Sequence, residues 1–170
     1  HGIYTVANSD RGKAAYRKVI PVKNTTILRD EFITLAEALK VGGYRTATMG
    51  KRHLGKDPTK QGFDINIAGR EWGSPSGGGY HSPYKYPNLE NSNKGEYLTD
   101  RLGKEAAKFI ESNMDRPFFL YLSHYAVHTP IQAKLSLTEK YKKKPVLDKQ
   151  NNAKNAAMIE SMVDRIGTVL

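Results

Sequence analysis

Apolar positions take on a regular period only after about the thirtieth residue, and each periodic segment is closed by punctuation that fixes its type. Residues 1–30 show no sustained repeat; Ser9-Asp10-Arg11-Gly12 reads as a turn, and the run Val19 to Val22 is broken by Pro21. The first clear element begins at Thr34. Thr34-Leu35-Ala36-Glu37 has capping-box spacing, in which a threonine hydroxyl and a glutamate carboxylate each satisfy the other residue's backbone N–H. Leu35, Ala38 and Leu39 form the expected apolar stripe, and Gly42-Gly43 supplies the stop. Tyr44 to Met49 then alternates as a strand, closed by Gly50.

A second helix is expected from Thr99, as N-cap with Asp100 in its first turn, and Leu98, Leu102, Ala106, Phe109 and Ile110 share one face. Pro117 ends it. Phe118 to Leu122 is a near-continuous apolar run, the mark of a strand covered on both faces in a parallel sheet. From about Asn152, a third helix places Ile159, Met162, Val163, Ile166 and Leu170 at helical spacing. Helix–strand, helix–strand, helix predicts an α/β fold, with a partial, mixed but largely parallel sheet flanked by helices. Between the two units lies a long loop-rich stretch, residues 55–96, punctuated by glycine and proline and carrying Tyr80, Tyr84 and Tyr86. It reads as a surface excursion or a substrate-facing loop.

Composition narrows the function classes. The chain of 170 residues is long enough for one domain with a core. Its 38% hydrophobic content is polar but globular, and no run approaches a membrane span. Cysteine is absent, which removes disulfides, zinc ribbons and thiol catalysis from this stretch. A net charge of +10 admits an anionic partner. The excess is diffuse, however, with Lys142-Lys143-Lys144 the one run and no interleaved aromatics to stack bases, so nucleic acid is not expected. The chain opens at His1 with no apolar signal region, which points to a cut inside a longer polypeptide.

Two candidate patches follow the two strands, where ligand sites of α/β sheets lie. Gly50-Lys51-Arg52-His53-Leu54-Gly55 offers a cation and an imidazole between glycines. If the backbone stays extended, Lys51 and His53 point one way and Arg52 the other. His124-Tyr125-Ala126-Val127-His128-Thr129-Pro130 places His128 before a proline-restricted residue at the end of the second strand. Two histidines with no acidic third ligand nearby do not make a zinc site, and His124 reads as a structural, hydrogen-bonding histidine. Lys51, His53 and His128 are expected to meet in one cleft.

The ordered stretches Thr34-Leu-Ala-Glu-Ala-Leu-Lys, Gly43-Tyr-Arg-Thr-Ala and Gly50-Lys-Arg-His-Leu-Gly resemble the sulfatase family, in its bacterial arylsulfatase-like branch. Gly62-Phe63-Asp64, Tyr97-Leu98-Thr99-Asp100, Pro117 to Leu122 and His128-Thr129-Pro130 continue the resemblance in order. It runs from residue 1 to 170 and is weakest between Trp72 and Asn93. It implies an alkaline-phosphatase-like α/β fold, a calcium ion, and a formylglycine made in a Cys/Ser-x-Pro/Ala-x-Arg motif. Neither that motif nor the family's calcium ligands is found in this chain, which therefore reads as an internal segment of one catalytic domain.

The residues that carry over are three. Lys51 would contact the sulfate and the leaving oxygen, His53 would hydrogen-bond the hydrated formylglycine, and His128 would bind sulfate and help protonate the leaving group. Arg52 stands where the family usually has tryptophan. The resemblance thus implies a sulfuric ester hydrolase acting on a carbohydrate or aryl sulfate, periplasmic or secreted. The alternatives are a phosphodiester or phosphonate hydrolase of the same superfamily and a non-catalytic basic module for sulfated glycans.

Overall fold

A computed structural model describes residues 27–170 except 92, 147 and 150, so the turn and broken run expected before Thr34 lie outside the described residues. Its centre is a parallel sheet of three strands in the order β2-β1-β3, formed by β1 (Arg45–Gly50), β2 (Ile65–Ile67) and β3 (Phe118–Ser123). β1 lies in the middle, and every residue from Thr46 to Gly50 is buried. β3 pairs with it residue for residue from Arg45↔Phe118 to Gly50↔Ser123. The apolar run Phe118 to Leu122 had been expected to be covered on both faces. It forms instead the outer strand of the described sheet, half-buried, with Tyr121 48% exposed.

Among the described residues four α-helices flank the sheet: α1 (Leu35–Val41), α2 (Leu98–Glu111), α3 (Leu135–Lys142) and α4 (Ala153–Gly167). The capping box on α1 is present as read: the Thr34 N–H donates to Glu37 Oε2 at 2.6 Å and the Glu37 N–H to Thr34 Oγ1 at 3.2 Å. α2 buries Leu98, Leu102, Ala106 and Phe109, the predicted stripe. It starts earlier than Thr99, with Tyr97 as N-cap, because the Leu98 N–H donates to the Tyr80 carbonyl at 2.7 Å. Loop backbone satisfies a first-turn donor, and Thr99 is left inside the core.

Two predicted stripes are not the buried faces. α1 buries Ala36 while Leu35 stays 64% exposed, because the helix meets the chain at Gly62, where an added Cβ would stand 2.3 Å from the Glu37 nitrogen. α4 buries Ala157, Met158 and Ser161 against α2 and α3, while Ile159 and Val163 are exposed. On α1 the small Ala36 makes the close contact; on α4 Met158 fills the space between Ala157 and Ser161, and the predicted bulky rows stay largely open among the described residues. The strand β2, the short helix α3 and a 3₁₀ turn at Pro58–Gln61 have no counterpart in the sequence pattern.

The loop-rich stretch is not a surface excursion. Tyr80, Tyr84, Tyr86, Leu89 and Tyr97 belong to one core cluster with Ala47 and Met49 of β1, Leu98, Leu102 and Phe109 of α2, and Tyr125. The tyrosine rings carry the apolar burial, and their hydroxyls donate to backbone carbonyls: Tyr86 to Gly79 at 3.0 Å, Tyr125 to Ala68 at 2.8 Å, Tyr97 to Gln132 at 3.0 Å. A buried loop needs partners for its backbone, and tyrosine delivers area and a donor together.

Asp64 fastens the sheet to α1. Its carboxylate accepts from the Thr46 N–H at 3.0 Å and meets Lys40 Nζ at 2.7 Å, with Arg45 at 3.5 Å. Burial opposes its ionisation, yet the bonds from Lys40 and Thr46 and the charges of Lys40 and Arg45 outweigh burial and hold its pKa below the ordinary value. A depressed native pKa contributes stability above the unfolded-state value of about 3.9 and loses it as pH falls through the native value. Asp64→Asn should therefore lower stability at pH 7 by roughly 1–3 kcal/mol. The deficit against wild type should shrink as pH falls below the unfolded-state value and through the lower native one, as thermal melts at pH 7 and in acid would read. An equal deficit at both would show that the charge is not what holds this corner.

Candidate functional site

The site is built on the carboxyl ends of β1 and β3. Gly50 has φ of +101°, and a Cβ there would stand 2.0 Å from the Ser123 carbonyl oxygen, so only glycine closes this pair of strand ends. The residue after it is clamped from both sides. The Lys51 N–H donates to the Ser123 carbonyl at 2.7 Å, and the Ser123 hydroxyl donates back to the Lys51 carbonyl. Lys51 thus leaves the sheet beside the segment that runs from Ser123 to His128.

The backbone does not stay extended past Gly50, as the alternation argument required: His53 has φ of +67°. The two faces separate all the same. Arg52 turns to the side of α1, where its guanidinium lies 5.2 Å from the centre of the Phe63 ring and bonds to the Gln61 side-chain oxygen. It lines an apolar cavity of about 380 Å³ with Leu28, Ile33, Leu35 and Phe119. Burial lowers its pKa, against the charges of Tyr121, Asp57 and Glu37. The guanidinium packs on the Phe63 ring as a cation–π pair.

His53 is held by the other loops. Its N–H donates to the Arg70 carbonyl at 3.1 Å. Its ring lies on Gly73, where a Cβ would come within 2.5 Å of Cε1. Its pKa is lowered, first by burial, then by the positive charges of Lys51 and His128. Three side chains from two strand ends therefore share one electrostatic neighbourhood. Lys51 has no ion-pair partner among the described residues, in contrast to Lys40, Lys134 and Lys140, which meet Asp64, Asp100 and Glu160 at 2.6–2.7 Å.

His128 is exposed, and its Nδ1–H donates to the Thr129 carbonyl at 2.7 Å. That bond assigns the proton of the neutral ring to Nδ1 and leaves Nε2 to accept from, or when protonated donate to, a ligand. The backbone beneath it is fixed by Tyr80, Tyr97 and Gln132, none of which sequence reasoning had singled out for the site. Their one visible signal was the density of tyrosine in an otherwise loop-like stretch. His124 is structural, as expected, but not as a hydrogen-bonding residue. Burial drives its pKa down to about 4, and neither ring nitrogen has a partner among the described residues. It is packed as a neutral ring.

The described residues contain no group of three or more histidine, cysteine, aspartate or glutamate side chains able to hold a metal. Calcium takes oxygen ligands, carboxylates above all, and an ammonium with two imidazoles offers none, so these residues do not fit calcium. The sequence likewise offers no Cys/Ser-x-Pro/Ala-x-Arg stretch for formylglycine. What the arrangement can do is bind an anion and move a proton beside it: a free ammonium and two imidazoles, one with an open Nε2.

A family model described as Sulfatase matches residues 10–170. The chain belongs to the sulfatase family. It is 29% identical over its whole length to a sulfatase of Formosa agariphila, of which it covers 39%. It is 33% identical, over 80% of its length, to arylsulfatase J of Mus musculus, of which it covers 25%. The chain therefore spans between a quarter and two-fifths of these relatives. Among solved structures, that of Ps i-CgsB superposes with a TM-score of 0.62 at 24% identity, covering 88% of this chain and 38% of that one. A Bacteroides thetaiotaomicron protein solved in work on glycosaminoglycan metabolism gives 0.66 at 12% identity, covering 85% and 38%. At these identities the likeness is one of fold, and it agrees with the α/β class expected from the helix–strand order.

The electrostatic contact within the site has a direct readout. His53 should titrate below the ordinary imidazole value of about 6.5, and Lys51→Met should move its midpoint upward by removing a neighbouring positive charge. Titration of the His53 ring resonances by NMR measures both. An unchanged midpoint would mean that Lys51 does not reach His53.

Proposed function

We propose that the chain is an internal segment of the catalytic domain of a sulfuric ester hydrolase, and that Lys51, His53 and His128 bind and process the sulfate ester. The observation that carries this reading is that His53 lies within the charge fields of both Lys51 and His128, in a chain whose family model spans residues 10–170. Lys51 supplies an unpaired positive charge for the sulfate and for the negative charge that develops on the leaving oxygen. His128 Nε2 binds a sulfate oxygen and, when protonated, delivers a proton to the departing alkoxide or phenolate. His53 is kept largely neutral by burial and by its cationic neighbours, so it can accept a hydrogen bond from the hydrated aldehyde that the parent's formylglycine would supply. Calcium and that nucleophile would come from elsewhere in the parent, and no step here runs through either.

The substrate class is a carbohydrate or aryl sulfate ester. Support comes from the family and from Ps i-CgsB, one of whose solved structures holds k-i-k-neocarrahexaose. Export to the periplasm or medium is proposed by family habit; among the described residues no helix is long and apolar enough to cross a membrane. The basic surplus is not a reason to invoke nucleic acid, since it is spread along the chain with no interleaved aromatics to stack bases.

In the full-length enzyme, Lys51→Ala should lower kcat on an aryl sulfate by roughly 10²–10³-fold, the scale of losing one preorganised charge-stabilising group. Arg52→Ala should leave kcat within about threefold while lowering Tm, because its side chain packs on Phe63 and away from the site. Equal kcat losses at both positions would sink the assignment, and faster turnover of an aryl phosphate diester than of the sulfate would move the enzyme to the phosphodiesterase branch. The 170-residue chain by itself should not turn over an aryl sulfate even with calcium added, because it carries no nucleophile motif. Calcium-dependent turnover above a buffer blank would contradict that.

A further inference from the structure

We propose that Tyr80 is a positioning residue for His128: its buried hydroxyl fixes the turn from Tyr125 to His128 and so holds the imidazole at the sulfate-binding site. This rests on the role given to His128 above and adds the device that aims it. Tyr80 has no exposed surface, although it belongs to a glycine-rich loop 48 residues away in sequence. Its hydroxyl donates to the Tyr125 carbonyl at 2.7 Å, with the His128 carbonyl also in reach at 3.0 Å, and it accepts from the His128 N–H at 3.1 Å. The His128 N–H also donates to the Tyr125 carbonyl at 3.1 Å and closes the turn, and the Tyr80 oxygen contacts both ends of that four-residue turn from outside.

The same loop grips the chain on the far side of His128. The Tyr80 N–H donates to Gln132 Oε1 at 2.9 Å, and the Tyr97 hydroxyl donates to the Gln132 carbonyl at 3.0 Å. The two rings stack with centroids 5.9 Å apart. His128 itself is exposed and, among the described residues, makes side-chain bonds only to its neighbour Thr129, so its own surroundings do little to aim it. The backbone beneath carries that burden. Burial pushes the Tyr80 hydroxyl up to about 12, so it remains a donor at any working pH.

The layer continues to the other half of the site. The Tyr125 hydroxyl donates to the Ala68 carbonyl at 2.8 Å, close to Arg70, whose carbonyl receives the His53 N–H, and to Gly73 under the His53 ring. Tyr80 and Tyr125 thus join the loop that carries His128 to the loop that supports His53. Because the tyrosines touch backbone and not ligand, their effect on turnover runs through the histidines.

The test is a double-mutant cycle in the full-length enzyme with Tyr80→Phe, His128→Ala and both together. It is read as kcat and KM on an activated aryl sulfate and on an alkyl sulfate with a poor leaving group. Phenylalanine keeps the ring and its stacking and removes the hydroxyl alone. Tyr80→Phe should lower kcat on the alkyl sulfate by about tenfold and on the aryl sulfate by about twofold, because only the former depends strongly on a well-aimed proton donor. On the His128→Ala background the same change should cost less than about twofold, since there is no imidazole left to aim. An equal loss on both backgrounds would overturn the positioning role and make Tyr80 a packing residue. Full activity of His128→Ala would instead overturn the reading of His128 itself, whatever Tyr80 does. Should Tyr80→Phe not accumulate as folded protein, Gln132→Met removes the neighbouring anchor and is read by the same cycle, with the same two outcomes.

Discussion

At the end of the central strand, Gly50 meets the Ser123 backbone so closely that no side chain fits between them, and everything proposed for the site hangs from that contact. Parallel pairing from Arg45↔Phe118 to Gly50↔Ser123 delivers two chain segments to the same edge in fixed register. A slip of one residue would reverse the facing of every side chain on β3 and move Lys51 off its clamp. Ser123 makes such a slip costly by holding the Lys51 peptide through both its N–H and its carbonyl. The sheet thus positions a cation by its backbone and leaves the ammonium free.

What the sheet does for Lys51, the tyrosine layer does for the histidines. Of the three side chains, Lys51 follows directly on β1 while the two histidines ride on loops. Loops hold geometry only when their own polar groups are satisfied away from water. Tyr80, Tyr86, Tyr97 and Tyr125 meet that need by donating to carbonyls of Tyr125, Gly79, Gln132 and Ala68 while their rings fill the space over β1 and α2. The stretch that looks least structured in the sequence supplies much of the buried core.

This explains what could be read from the chain and what could not. α1 with its capping box, β1, α2 and β3 follow from local rules, because their signals are short-range: a cap, a period, a terminating glycine or proline. The placement of Lys51 and His128 at one edge followed from the general position of sites in α/β sheets. The buried faces of α1 and α4 were misread because bulkiness was taken for burial. The contacts are made by Ala36 on α1 and by Met158 with the small Ala157 and Ser161 on α4, and which face turns inward depends on the partner surface. β2 is three residues long, with too few positions to show a period. The tyrosine layer was hidden for a different reason: its hydroxyl partners lie up to 57 residues away, and no local rule connects Tyr125 to Ala68.

The electrostatics of the site give the proposed chemistry its internal logic. Without a ligand, Lys51, His53 and His128 oppose one another: His53 is pushed toward the neutral form by burial and by its two cationic neighbours. Such a cluster is a cost to the folded protein and is retained where an anion will join it. A sulfate ester placed among the three reverses each sign at once. It neutralises the repulsion and favours the protonated form of the imidazole nearest the leaving oxygen, because an opposite charge within a few ångström raises an imidazole pKa. Binding and proton loading are then coupled, and by linkage each strengthens the other. That coupling needs the ring held in place while its charge changes. A backbone anchor that does not itself titrate, the neutral hydroxyl of Tyr80, is suited to the task where a charged partner would compete with the sulfate for the proton.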